Sequence, residues 1–405
     1  MRRVIFITDL EVESLGSKKG GRAFYNTLCS YLDSGWEVML ITTGGNVPPE
    51  FRGRMKVYEQ KSDYNPNQGG CKVVRLLKRY RHCQKIGKFY CRTAAPLLEE
   101  GASLLYAYET GGVKVAKKLS KKYRVPLVTR FQGTWFADIP YTWVNRFRFF
   151  PNQQALHTEA DLVIMTNDGT RGDEALKKCK NTSSQIKFWM NGVNVPSNEH
   201  LEKRKTYREQ LGVGNKFVFL TVSRLESWKR VDRAISALAS MVRENSQAEL
   251  HICGDGDLRT TLENLAKTLN VADRVVFHGA VPHEKVWELL IASDVFLSLY
   301  DLSNVGNPLL EAMGAGKPVI TIDNGDTKRF VEDGVTGCLL PKADVSLIAG
   351  KMTQLFSDKN LVESMGRNAR SFATTHFWSW QERMQAEQKE VAALLKVESE
   401  TSSYE

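Results

Sequence analysis

Arg224, Lys229 and Glu311 stand where apolar runs give way to helices, and their types suit a single ligand chemistry. Asp294 to Leu299 is an apolar run of the length a parallel strand needs, and Asn307 followed by Pro308 is N-cap and first-turn chemistry. A helix beginning near Pro308 would point the amides of Val305, Gly306 and Asn307 at whatever sits above the strand end, where the macrodipole favours an anion. Arg224 and Lys229 flank a second such turn, after the apolar run Lys216 to Val222. Fixed cations there would neutralise the charge that grows on a departing diphosphate. Glu311 falls one turn into the helix. A carboxylate beside a phosphate suits a ligand that also offers donors, as the ribose diol of a nucleotide sugar does. The plain alternatives are an ordinary strand-to-helix turn at Glu311 and surface salt bridges at Arg224 and Lys229.

The elements that must carry these groups alternate. A chain of 405 residues exceeds one ordinary core, so two domains are expected. Strand-length runs at Arg3 to Thr8, Gly35 to Thr42, Leu104 to Tyr108, Pro126 to Phe131, Asp161 to Thr166 and Lys187 to Met190 precede a polar stretch from Pro196 to about Arg208. Further strands follow at Lys216, Glu249, Val275, Asp294 and Pro318. Glycine turns close many of them, which implies two doubly wound α/β domains with ligands at the carboxyl ends of the strands. The loop Gly16 to Arg22, with Gly20 and Gly21, is a candidate phosphate loop or a plain turn, since its spacing is not Gly-x-Gly-x-x-Gly.

Glu311 with Ala312-Met313-Gly314-Ala315-Gly316-Lys317-Pro318-Val319, Arg224 and Lys229, Asn191-Gly192-Val193-Asn194 and the turn Glu332-Asp333-Gly334-Val335-Thr336-Gly337 together carry a resemblance. The chain resembles the retaining GT-B glycosyltransferases of the glycogen-synthase-like group, family four, also called glycosyltransferase group 1. The resemblance implies two Rossmann-like domains facing across a cleft, with residues 1–195 on the acceptor side and 196–375 binding the nucleotide sugar. It also implies a helix over 376–397 that crosses back to the first domain, ahead of a disordered tail at 398–405. Its activity would be retaining sugar transfer from a nucleotide-diphosphate sugar, with a UDP-sugar as the expected donor, needing neither metal nor cofactor. The acceptor would be a hydroxyl of a glycan, glycolipid or lipid-linked molecule in cell-surface glycan synthesis. Arg224, Lys229 and Glu311 then carry catalysis, Gly20, Gly21, Val305, Gly306 and Asn307 hold phosphate, and Gly254, Gly279, Val281 and Glu311 meet the nucleoside.

Two positions depart from the family pattern. Gln132 stands where the family has His, and Ser303, eight residues before Glu311, stands where it has its first Glu. Both positions meet the donor sugar in the family. Neutral hydrogen bonds from Gln132, Ser303 and Asn304, with Asp301 as a substitute carboxylate, would suit a different hydroxyl pattern. A nucleotide-sugar epimerase and a scaffold that has lost catalysis are the alternatives.

The net charge of +10 is uneven. Residues 1–195 hold 31 basic and 17 acidic groups, +14, which leaves 25 and 29, −4, for the rest. From Lys72 to Arg92 the basic residues share a helix with Val73, Leu76, Leu77 and Tyr80. That pattern fits a solvated face over a core contact, or docking on an anionic membrane or lipid-diphosphate acceptor; no nucleic-acid-binding signature accompanies it. The aromatics Tyr141, Trp143, Phe147, Phe149 and Phe150 read as core or a domain edge. No run approaches the ~20 apolar residues of a membrane span, and seven cysteines without Cys-x-x-Cys argue against disulfides and structural zinc. A cytoplasmic protein, peripheral at the inner membrane face, is the expectation.

Overall fold

The alternation of strand and helix resolves into two parallel sheets. In this computed structural model the described residues are 2–10, 22–43, 48, 51, 53–60, 72–140, 142–242 and 247–401. Chain contacts divide them into two units, one of Met1–Asn167, Arg171–Met190 and Gln381–Glu405, the other of Asp168–Thr170 and Asn191–Trp380. The first boundary thus falls at Asn191, a few residues before the expected 195. Asp168–Thr170 is a short excursion into the second unit that the sequence did not announce.

The first unit contains β1 (Arg3–Thr8), β2 (Glu37–Thr42), β3 (Lys56–Glu59), β4 (Leu104–Tyr108), β5 (Leu127–Phe131), β6 (Leu162–Thr166) and β7 (Ile186–Trp189). Their order is β3-β2-β1-β4-β5-β6-β7, all parallel. Every residue of β4, β5 and β6 is buried, as a sheet covered by helices on both faces requires. The chain order reverses between β1 and β4, and that reversal opens a crevice at the carboxyl ends.

Two long helices belong to this unit. Lys72–Glu99 anchors its second half through Ile86, Tyr90, Ala94 and Leu97, and the Tyr90 hydroxyl donates to the Thr8 carbonyl at 2.7 Å. Its first half is open, with Leu77 53% and Tyr80 60% exposed. Arg79 ties it to the neighbouring short helices through the Arg148 carbonyl, 3.0 Å. On those helices Trp143 is 80% and Phe150 51% exposed, so of the two expected placements, core or domain edge, these two aromatics are not core; Phe149 packs on Trp135 and Phe136. The last helix, Trp380–Thr401, runs past Glu398, where a tail was expected to begin, and 402–405 lie outside the described residues. From Gln381 onward it is part of the first unit, held by Glu387, which accepts from Tyr106 (2.7 Å), Arg130 (3.1 Å) and Arg383 (3.1 Å), all fully buried.

The second unit contains β8 (Phe217–Val222), β9 (Ala248–Cys253), β10 (Val275–Gly279), β11 (Val295–Ser298), β12 (Val319–Ile322) and β13 (Gly337–Leu340), in the parallel order β10-β9-β8-β11-β12-β13. Its reversal lies between β8 and β11. The loops after those two strands are therefore the ones that flank a crevice, and they are the loops carrying Arg224, Lys229 and the approach to Glu311.

Candidate active site of the second unit

After β8 the chain turns through Ser223–Arg230. The Arg224 side chain is largely exposed, with Nη1 2.7 Å from Glu226 Oε1, and Glu226 also accepts from the Trp228 indole at 2.7 Å. Lys229 closes the short 3-10 turn Ser227–Lys229 and is much less solvated. Its Nζ lies 3.8 Å from the ring centres of both Trp228 and Tyr300. It forms no ion pair among the described residues. Burial, with the Arg224 charge adding to it, brings the Lys229 pKa down to about 7, against the pull of Glu226 and Asp168. Asp168 is pushed up to about 6 by its own burial, while its bonds to Thr170 and the Lys229 charge oppose the rise.

After β11 the loop is built by its own side chains. Asn304 is fully buried, and its amide accepts from Ser298 Oγ (3.0 Å) and the Tyr300 amide (2.9 Å) while donating to Asn324 Oδ1 (2.8 Å) and the Ile322 carbonyl (3.4 Å). All four of its hydrogen-bonding positions are used. Asn304 is a keystone of the loop and has none left for a sugar, which corrects its assignment. Ser303 donates to the Asp168 carbonyl and accepts from the Val305 amide at 3.2 Å. Its hydroxyl hydrogen is committed within the loop, and the Val305 amide, expected to face phosphate, is taken. Gly169 lies under this contact with φ +80°, and a Cβ there would collide with Ser303 Oγ. Asp301 gives its carboxylate to Arg233 (2.6 Å) and Arg230 (3.4 Å), so it is an ion-pair partner and not a spare acceptor for a sugar hydroxyl.

The helix after the loop is Asn307–Gly314, capped by Gly306, one residue earlier than the sequence indicated. The Leu309 and Leu310 amides turn back to the Gly306 carbonyl at 3.0 and 3.3 Å. Pro308 has no N–H. Gly306 and Asn307 therefore keep amides that donate to no described residue, and these two are the anion donors the helix end retains. The Asn307 side chain accepts from Asn191 at 3.2 Å.

Glu311 is buried, and its Oε1 is 2.8 Å from His283 Nε2. His283 opens the helix His283–Ala292 and rests its ring against Trp287. It was not foreseen, because no local motif links residue 283 to residue 311; only the packing of the two helix starts does. Asp168 escaped notice for a similar reason, since its turn follows a strand of the first unit.

The glycines assigned to the nucleoside have structural duties. The Gly254 amide donates to the Gly279 carbonyl at 2.8 Å, and a Cβ at Gly254 (φ +132°) would strike the Ser223 carbonyl. Gly254 thus lets the ends of β8 and β9 come together. Val281 lies in the loop between β10 and the helix of His283, partly buried. His251 and His278 share a 3.0 Å bond, with His251 also on Glu249 at 3.3 Å. Gln132 belongs to the first unit, just past β5, where its backbone N–H donates to Glu109 Oε1 at 2.8 Å. Gly20 and Gly21 lie outside the described residues. Among the described residues no cluster of three or more His, Cys, Asp or Glu side chains is placed to hold a metal, and no helix is long and apolar enough to cross a membrane.

A family profile, "Glycosyl transferases group 1", matches residues 203–372. Over that span the chain is similar to the group 1 glycosyltransferases. It is 25% identical over 304 residues to an alpha-D-kanosaminyltransferase of Streptomyces kanamyceticus, covering 73% of this chain and 75% of that protein. It is 31% identical over 189 residues to a GDP-mannose-dependent alpha-(1-6)-phosphatidylinositol monomannoside mannosyltransferase of Mycolicibacterium smegmatis, 45% of this chain and 49% of that one. Among solved structures, Anabaena Alr3699/HepE in complex with UDP superposes with a TM-score of 0.71 at 21% identity, over 97% of this chain and all of the other. The chain therefore has the expected GT-B fold class, with two Rossmann-like units and a C-terminal helix.

Proposed function

We propose that this glycosyltransferase moves a sugar, with retention, from a nucleotide-diphosphate sugar to an acceptor hydroxyl, with a UDP-sugar as donor. The observation that carries the reading is that the half-buried Lys229 and the retained amides of Gly306 and Asn307 lie on the two loops at the switch point of the second sheet. Lys229, Arg224 and those amides bind the diphosphate without a metal ion. Glu311, oriented by His283, accepts from the ribose hydroxyls. As the bond from the sugar's anomeric carbon to the phosphate oxygen breaks, charge grows on the leaving diphosphate and the cations stabilise it. The acceptor oxygen bonds to that carbon on the same face while the leaving phosphate oxygen takes its proton. No protein nucleophile is needed.

The acceptor is a glycan or lipid-linked molecule. The first unit supports a membrane-borne source, since Leu77, Tyr80 and Trp143 are exposed on helices that carry Lys or Arg, the composition that settles at an anionic lipid interface. A scaffold without catalysis remains the competing reading, favoured by the commitment of Ser303 and Asn304 to loop structure. Thermal shift and hydrolysis assays with UDP-, GDP- and ADP-sugars separate the two. Stabilisation by one nucleotide, lost in Glu311→Ala, with slow sugar release, is the expected result. Nucleotide binding without any hydrolysis or transfer would leave the scaffold.

A further inference from the structure

A cavity of about 910 Å³ opens at the other end of the second sheet. It is bounded by Lys216, Asp294 and Lys317, the residues that precede β8, β11 and β12, whereas the loops of Arg224 and Glu311 follow β8 and β11. At roughly 3.3 Å per residue the strands hold the two ends about 13–20 Å apart. Seven basic and two acidic side chains line it. Phe217, Phe356 and Val362 supply an apolar wall.

At its base Arg204, Arg208 and Lys317 crowd around one carboxylate. Asp294 meets Arg204 at 2.6 Å and Arg208 at 3.3 Å. Lys317, nearly buried, has only neutral acceptors, the Ile291 and Ser293 carbonyls, each at 2.9 Å. Burial, and after it the Arg204 charge, holds its pKa well below the ordinary lysine value. Arg370 likewise bonds to the Gly314 carbonyl (2.7 Å), the Pro196 carbonyl (2.9 Å) and Asn198, without a carboxylate.

Closing the carboxyl ends of the helices His283–Ala292 and Asn307–Gly314 accounts for those four cations. It does not account for the rim. Lys359 has no partner among the described residues, and Arg367 meets Glu363 at 3.9 Å with both largely exposed. Two guanidiniums against one carboxylate at the base, solvent-facing cations at the mouth and an apolar wall match a ligand that is part anion and part carbon skeleton. The volume is at the upper end of the range for small-molecule sites. We propose that this cavity is a second anion site, taking a phosphate-bearing small organic molecule, separate from the donor site.

Inorganic pyrophosphate reads the charged half of that ligand, and calorimetric titration can count its sites. Wild type is expected to show two classes of site. In Lys359→Glu/Arg367→Glu one class weakens at least tenfold while the other persists; in Arg224→Ala/Lys229→Ala the pattern reverses. If the rim double variant titrates like wild type, or if Arg224→Ala/Lys229→Ala abolishes all binding, the cavity is not an anion site and its cations only seal helix ends.

Discussion

Two groups of buried charge in this chain are built on opposite plans. In the first unit Arg130, Arg383 and Glu387 are fully buried, and Glu387 receives two guanidiniums and the Tyr106 hydroxyl. In the second, Lys229 faces two aromatic rings and makes no ion pair among the described residues. The first group has a carboxylate of its own, although Arg383 Nη2 is buried with no hydrogen-bond partner among the described residues. The second lacks a counter-charge among the described residues, and burial brings its lysine pKa down to about 7. A paired cluster holds a helix in place; on the proposed function the open one would take the donor's diphosphate.

The largest effect should come from opening the closed cluster. Glu387→Ala leaves two guanidiniums buried without a counter-charge, at a cost of roughly 3–5 kcal/mol. Chemical denaturation should show it as a large fall in the unfolding midpoint. Replacing Arg130, Glu387 and Arg383 together with Met, Leu and Met should restore much of the loss. An unchanged midpoint for Glu387→Ala would mean that the cluster is not closed in solution.

The mirror-image experiment at the open cluster is Lys229→Met. Removing a cation that meets developing charge should lower the transfer rate by about 100-fold or more. The unfolding midpoint should hold or rise, because a poorly solvated charge has been removed. A fall in stability as large as that of Glu387→Ala would erase the contrast between the two sites.

The same lysine sets a pH dependence whose two signs differ. The folded pKa is about 7 and the ordinary value 10.5. Between those values the unfolded chain holds the proton and the folded chain does not, so the stability contribution of this group rises with pH. Donor binding needs the charged form. The donor KM should therefore climb above pH 7, up to tenfold per unit, while the free protein grows no less stable. Lys229→Arg, always charged, should flatten the KM profile. A donor KM flat from pH 6 to 9 in wild type would put the lysine outside the donor site.

Much of this was legible before any coordinates. Strand-helix alternation announced both sheets, and the spacing of Arg224 and Lys229 after an apolar run placed them on a switch-point loop. These are local patterns. What the sequence hid was long-range: Asn304 looks available until Ser298, Tyr300, Ile322 and Asn324 are seen to use its whole amide. Asp301 resembles a spare carboxylate until Arg233, sixty-eight residues away, appears beside it. Trp143 and Phe150 could be read only as core or a domain edge, because aromatic content says what can be buried, and only the neighbouring elements decide what is.

The finest test of the comparison is His283, which touches the open site from outside. Glu311 is buried and presents one oxygen to His283 at 2.8 Å. Without that partner the carboxylate could still accept from a ribose, but one of the bonds that orient it would be gone. His283→Ala should therefore raise the donor KM by about tenfold or less, the scale of one hydrogen bond of roughly 1 kcal/mol. The turnover number should change little, since the ribose is remote from the breaking bond. His283→Gln, which can still donate, should recover part of the loss. If instead turnover falls and KM stays, the histidine acts on the reacting end of the donor. Glu311 would then belong with Lys229 in the chemistry and not with the nucleoside.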